Sequence, residues 1–376
     1  MPGSPLFVLL HSISLFSNSF VVYEAQICRF FLQSLLFLVF LERLRSVRKP
    51  RKPYTIVSVW KWANKNDNLL ILSVAMALLR AEPLFHRCRE EEATCQMYYS
   101  VRHVASLSVD AQVVRLLFAG ISLAVTNSSA FRMFSEKRMT SGTMRILSAV
   151  SWPLLAGIFY HCVIVSKLQD PSRANFTAQM IFFSSFACAI AAWRERNFAI
   201  TVHFLMMPIY LLFGDGMIPA LVVFIALSVI ITKFVPRETL ASAVAILVPF
   251  GFYQLGHSPV ISAIPWHAGF VGIPGSAVPR IVTAAFVLVH LNFSAISSIF
   301  VISSQTHNWP LAETVILTTT RATFACFAAS IHRRHLMVWK IFAPKFIFES
   351  VLAIVLLVFA DFLSVLRLFT PRPKKL

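Results

Sequence analysis

The stretch from Arg333 to Ser350, RRHLMVWKIFAPKFIFES, gathers Arg333, Arg334, His335, Lys340, Lys345 and Glu349 between two apolar runs. Paired guanidiniums offer bidentate donors to phosphate oxygens, and lysine adds a compact positive charge. The chemistry on offer is the holding of a phosphate-bearing molecule at a membrane surface. A second stretch, from Gln254 to Arg280, QLGHSPVISAIPWHAGFVGIPGSAVPR, carries His257, Trp266 and His267 among four prolines. Irregular backbone of this kind between spans is tolerated where it is buried in protein or lines a cavity; a plain interhelical loop with an interfacial tryptophan is the other reading. The third group is acidic. Glu24, with Asn18 close by in SNSFVVYE, and Glu82 and Glu349 fall near span ends, where a carboxylate is either a functional group or half of a structural ion pair. All of these residues except Glu82 are candidates for substrate binding. None is a candidate for catalysis or for a metal, because the sequence has no Walker A loop, HExxH, GxSxG or Asp-rich box, and its sixteen acidic residues are dispersed. A two-metal centre needs such ligands clustered around a nucleophile.

The elements that must position these groups follow from composition. Of 376 residues, 57% are hydrophobic and only 13% charged, with a mean hydropathy of +0.72, against about 25% charged residues in an ordinary soluble domain. The chain is therefore expected to be an all-α, polytopic membrane helix bundle forming a single domain over 1–376. The net charge of +18 does not point to nucleic acid, since the basic residues lie between apolar runs at the spacing of topology signals. Twelve transmembrane helices are predicted, at approximately 5–23, 27–41, 68–85, 110–130, 145–165, 177–193, 198–213, 217–234, 239–253, 281–304, 311–332 and 346–369. Short spans are tolerated inside a bundle. The first apolar run lacks a basic leader region and is expected to stay as a span.

Basic loops stay cytosolic. With both termini in the cytosol, that side collects Arg43, Arg45, Arg48, Lys49, Arg51, Lys52, Lys61 and Lys65, then Arg132, Lys137, Arg138 and Arg145, and the tail Arg372, Lys374 and Lys375. The Arg333–Lys345 segment is then the one markedly basic stretch on the opposite side. Three readings stay open for it: a miscounted span that returns it to the cytosol, an interfacial helix whose lysines snorkel to lipid phosphates, or a phosphate site. Cys88 and Cys95 fall in a short loop on the same side, either disulfide-bonded or reduced; the six cysteines form no CxxC pair.

The segment IHRRHLMVWKIFAPKFIFE, from Ile331 to Glu349, closely resembles the C-terminal signature of the GPI ethanolamine phosphate transferase 3 family. LFSNSFVVYEAQICRFFLQSL from Leu15, LFHRCREEEATC from Leu84 and GHSPVISAIPWHAGFVG from Gly256 resemble the same family in the same order. In the last of these, Ser258 stands where the family usually has Gln. The resemblance implies a membrane domain of a larger enzyme whose luminal, alkaline-phosphatase-type domain holds two metal ions, expected to be zinc, and a threonine nucleophile. That catalytic domain is not in this sequence, so none of its catalytic residues is carried over and no cofactor is expected in this chain. The implied reaction moves phosphoethanolamine from phosphatidylethanolamine to the third mannose of the GPI precursor in the endoplasmic reticulum lumen. The implied partners are these two lipids, the surrounding membrane lipids and a small stabilising membrane subunit of the PIG-F type. The location is the endoplasmic reticulum membrane, which the tail RPKKL, an imperfect dilysine signal, also fits. Two other functions compete with the transferase: a non-catalytic scaffold that binds the GPI precursor or the stabilising subunit, and a twelve-span lipid or solute transporter, which predicts an internal repeat that the two halves of the sequence do not convincingly show.

Overall fold

The computed structural model describes residues 4–46, 67–88, 92, 95–98, 100–102, 106–135, 142–165, 171–195, 197–273, 280–305, 311–334 and 338–368. Every regular element among them is helical, as lipid requires of backbone that cannot bond to water. The order is α1 (Ser4–Ser14), α2 (Asn18–Val22), α3 (Glu24–Ser46), α4 (Asp67–Leu79), α5 (Val109–Ser135), α6 (Gly142–Val163), α7 (Pro171–Arg194), α8 (Phe198–Phe213), α9 (Ile218–Phe234), α10 (Arg237–Gln254), α11 (Arg280–Leu291), α12 (Phe293–Gln305), α13 (Leu311–Ile331) and α14 (Ala343–Leu368). Short 3₁₀ turns lie at Glu82–Leu84, Ile261–Ala263 and Trp266–Phe270, and a π turn at Val338–Phe342 leads into α14.

Among the described residues helix covers most of each predicted span, and the count of twelve is not reached on length and composition. Among the described residues, five helices are long and apolar enough to cross a membrane, or six with the pair α11 and α12 taken together. That pair was expected as one span over 281–304; it is bent by 70° at Asn292. The first predicted span, 5–23, is likewise broken between α1 and α2. Helices α5, α6 and α7 present Leu117, Ile121, Ile146, Phe176, Phe183 and Ile190 outward, more than half exposed, and an apolar surface of this extent belongs against lipid.

Helix α10 is the hub. From Thr239 to Gln254 every residue except Phe252 is buried, and it packs against α1, α3, α9, α12 and α13. Small residues make this possible: Ala241, Ala243, Ala245 and Gly251 let neighbouring backbones come close. A Cβ on Gly251 would stand 2.2 Å from Phe224 Cε2, and the Phe224 ring is fully buried on α9. Gly251→Ala is therefore expected to cost about 1–3 kcal/mol by overpacking, read as a lower melting temperature in detergent. A second substitution that trims the ring, Phe224→Leu, should recover part of that loss; an unchanged melting temperature for Gly251→Ala would contradict the packing.

Candidate functional site

Four charges meet inside the bundle. Glu24 opens α3, Arg321 lies mid-way along α13, and Lys345 and Glu349 sit one turn apart on α14. Arg321 is wholly buried and donates to Glu349 Oε1 at 2.5 Å, Glu24 Oε1 at 3.2 Å and the Ala245 carbonyl of α10 at 3.1 Å. Lys345 Nζ lies 2.5 Å from Glu24 Oε2 and 2.7 Å from Glu349 Oε1. The Tyr253 hydroxyl, from the last turn of α10, donates to Glu24 Oε2 at 2.6 Å. His11 of α1 brings Nε2 to 3.1 Å from Glu24 Oε1 and 3.4 Å from Cys28 Sγ. Two cations thus balance two carboxylates. Buried charges persist only when paired and hydrogen-bonded in this way, and the network ties α1, α3, α10, α13 and α14 together.

His11, Glu24 and Cys28 place one donor atom each within 4.8 Å, a spacing a metal ion could use. The donor set does not suit one: both Glu24 oxygens are already engaged by Arg321, Lys345, Tyr253 and His11, and two fixed positive charges adjoin the position. The other such group among the described residues, His86, Glu92 and Cys95, includes a sulfur committed to a disulfide.

One cavity borders this network and adjoins a second. The first, apolar and of about 300 Å³, lies between the end of α10, the 259–266 loop, α11 and α14; Lys345, Glu349 and Tyr253 form its polar end, and Trp266 and Ile261 its rim. The second, about 380 Å³, shares Ile261 with the first and is lined by Arg87, Cys88, Ser258, Ser262, Trp339 and Lys340. An apolar chamber therefore adjoins a chamber carrying two cationic side chains. That is the profile of an amphiphile with an anionic head.

The predicted candidates distribute unevenly over this site. Lys345, Glu349 and Glu24 enter the buried network, Trp266 the apolar cavity and Lys340 the cationic one. Arg333 and Arg334 are exposed in the turn after α13 and line none of these cavities. His335 lies outside the described residues, and of Asn18 only the backbone, at the start of α2, is described. The basic segment is thus not one surface: the helix α14 begins before Lys345 and carries it into the core. His257 is buried in an aromatic group, its Nε2 3.2 Å from the His290 carbonyl oxygen and its ring 5.1 Å from that of Phe252; His290 stacks on Phe213 at 3.9 Å. His267 packs at the edge of this group, 6.3 Å from the His290 ring, and burial, followed by the Arg87 charge, lowers its pKa.

Three residues that the sequence did not single out, His86, Glu92 and Arg29, complete a second polar site. Cys88 and Cys95 form a disulfide, with Cα atoms 5.6 Å apart, and the loop it closes brings Glu92 to His86. His86 Nε2 is 2.9 Å from Glu92 Oε2, its Nδ1 3.2 Å from Glu82 Oε1, and Glu82 Oε2 takes Arg29 at 3.1 Å. Burial disfavours the imidazolium, but the hydrogen bonds and charges of Glu82 and Glu92 outweigh it and raise the His86 pKa to about 9. Arg321, His11 and Tyr253 were also not singled out. An arginine at the middle of LAETVILTTTRATFACFAASI was the signal available, since an intramembrane charge demands a partner.

No family model and no solved structure matches the chain. Two curated proteins are similar to it. "GPI ethanolamine phosphate transferase 3, catalytic subunit" of Homo sapiens is 33% identical over 161 residues, covering 29% of this chain and 15% of that protein. The Mus musculus protein of the same description is 31% identical over 164 residues, with the same coverage. The chain spans 15% of the length of the curated relatives it matches. This partial similarity and the apolar helices support, at family level, a relationship between this membrane protein and the GPI ethanolamine phosphate transferases of GPI-anchor biosynthesis.

Proposed function

We propose that the chain serves as the membrane domain of a GPI ethanolamine phosphate transferase of the endoplasmic reticulum. In this reading it works with a metal-dependent luminal domain that transfers phosphoethanolamine from phosphatidylethanolamine to the third mannose of the GPI precursor. It crosses the membrane twelve times with both ends cytosolic, the short helices α4 and α10 spanning inside the bundle, and it docks a stabilising subunit of the PIG-F type. The carrying observation is the adjoining pair of cavities, one apolar and one lined by Arg87 and Lys340. Acyl chain and phosphate of one lipid would divide between them, and fixed cationic donors would position the phosphate for transfer without themselves reacting.

The test is complementation. Cells lacking the type 3 transferase would receive this chain together with the luminal catalytic portion of the human relative, and surface GPI-anchored protein would be measured. Restoration supports the reading. An Arg87→Gln/Lys340→Gln pair should then lower the signal about tenfold, as expected for the loss of charge-assisted bonds to phosphate. A stable chain that reaches the endoplasmic reticulum, associates with the catalytic portion and restores nothing would sink it. The 70° break between α11 and α12 favours a second reading, lipid or solute transport, because broken helices serve transporters; lipid translocation by the reconstituted chain, without complementation, would support that one.

A further inference from the structure

The loop HRCREEEATC carries four side chains of metal-ligating type, His86, Cys88, Glu92 and Cys95. His86, Glu92 and Cys95 each bring a donor atom within 4.8 Å of the others. All three also line a polar cavity of about 360 Å³ between the start of α3 and this loop, and the exposed Tyr23 and Tyr98 form part of its walls. An ion in solution therefore has a route to them. Cys88 joins the group through its bond to Cys95; the two Cα atoms are 5.6 Å apart, so once that bond is opened both sulfurs still reach a common point.

The surroundings suit a cation. His86 Nε2 is hydrogen-bonded to Glu92 Oε2 at 2.9 Å. The other ring nitrogen, Nδ1, lies 3.2 Å from Glu82 Oε1, and Arg29 holds Glu82 Oε2 at 3.1 Å. A histidine whose far nitrogen rests on a carboxylate, itself held by a further group, is the support that metal-binding histidines use to fix their tautomer and ring direction. Positive charge is thus already favoured at the point where His86 faces Glu92 and Cys95.

We propose that the disulfide is one of two alternative locks for this loop, and that after its reduction Cys88, Cys95, His86 and Glu92 bind a zinc ion in its place. Two thiolates with an imidazole select a borderline-soft ion such as zinc. Four protein ligands leave no open position, so the site is structural and not catalytic. The exchange balances in two steps. A dithiol reductant gives two electrons and two protons to the Cys88–Cys95 bond and itself closes to a disulfide. Zinc then displaces both thiol protons and the proton between His86 and Glu92, and Nδ1–H stays on Glu82. Glu82 and Arg29 are positioning residues, acting on the metal through His86. The site does not depend on the transferase reading.

The purified full chain in detergent would be reduced with dithiothreitol, freed of it without oxygen, and titrated with Co²⁺ and then Zn²⁺. One equivalent of cobalt is expected to give the visible absorption of a tetrahedral thiolate site, and one equivalent of zinc to remove it; the oxidised protein should do neither. Zinc should also protect Cys88 and Cys95 of the reduced protein from N-ethylmaleimide, mapped by mass spectrometry, while the exposed Cys326 stays reactive as the internal control. Glu82→Gln, which keeps all four ligands and the disulfide, should weaken zinc binding about tenfold, and His86→Gln, which removes a ligand, should weaken it further. A reduced protein that keeps its helical circular dichroism and takes up neither metal would overturn the proposal. So would equal uptake by the oxidised protein, zinc that protects neither cysteine, or unchanged affinity in His86→Gln. Failed complementation with zinc binding intact would sink the transferase reading and leave this site standing.

Discussion

Arg321→Met is expected to lower stability by about 3–5 kcal/mol, the range for removing one partner of a buried ion pair, and to be among the most damaging single changes in the protein. The side chain is wholly buried and reaches three helices, bonding Glu24 of α3, Glu349 of α14 and the Ala245 carbonyl of α10. Without it Lys345 is the one lysine or arginine left to balance two carboxylates, in surroundings where water cannot compensate. Methionine fills the volume, so the loss measured is chiefly the stranded charge. The diagnostic is a second substitution: Arg321→Met with Glu349→Gln removes the surplus negative charge and should be more stable than Arg321→Met alone, because replacing a whole buried pair costs far less than breaking it. Arg321→Lys keeps the charge but not the three-way reach and should fall between. Melting temperatures in detergent decide the matter. A double variant no better than the single one would show that packing, not charge, is what Arg321 supplies.

The same network explains what the sequence made legible and what it hid. Span positions were readable because 15–25 consecutive apolar residues have few other fates, and where local signals were strong even the ends were readable. Helix α8 runs from Phe198 to Phe213, as predicted, because Asn197 caps it, its side chain accepting from the Ile200 amide, and Gly214, at a φ of 70°, stops it. Elsewhere the charges that matter most trimmed the predicted spans. Predicted spans began at 27 and 346, whereas α3 begins at Glu24 and α14 at Ala343. In each case a charged residue interrupted the apolar run and was assigned to a loop. Such a residue reads as surface only until its partner is known, and the partners here are far apart in sequence: Glu24 meets Tyr253 and Arg321. The bend at Asn292 was hidden for a different reason. Its side chain bonds back to the Leu288 carbonyl, which its own backbone amide also reaches, a side-chain bond to the backbone that leaves hydrophobicity uninterrupted. The cationic cavity is half legible: Lys340 stands in the basic segment that reads as a phosphate site, while nothing in the sequence around Arg87 singles it out.

The disulfide-closed loop is expected to loosen as pH rises from about 6.5 toward 9. His86 is held between Glu82 and Glu92 with its pKa raised to about 9, so the folded loop binds its proton more tightly than the unfolded chain, where histidine titrates near 6.5. A raised folded-state pKa means the contribution is complete below about 6.5 and is lost as pH climbs through 9; the opposite sign would hold only had burial won over the two carboxylates. The full span is worth about 3 kcal/mol, and its loss frees Glu92 from His86 and leaves Glu82 with Arg29 alone. Hydrogen exchange over 82–98 at pH 6.5, 8 and 9.5, corrected for the intrinsic rate at each pH, reads this directly. Protection should fall with pH in the native protein and become nearly flat in His86→Gln, which keeps a donor without a titrating charge. Reduction of the Cys88–Cys95 bond should flatten the native response, because the closed loop holds Glu92 beside His86 and Glu92 is one of the two carboxylates that raise its pKa. Protection that rises with pH, or an unaltered slope in His86→Gln, would place the proton elsewhere and remove His86 as the clasp between this loop and the start of the bundle.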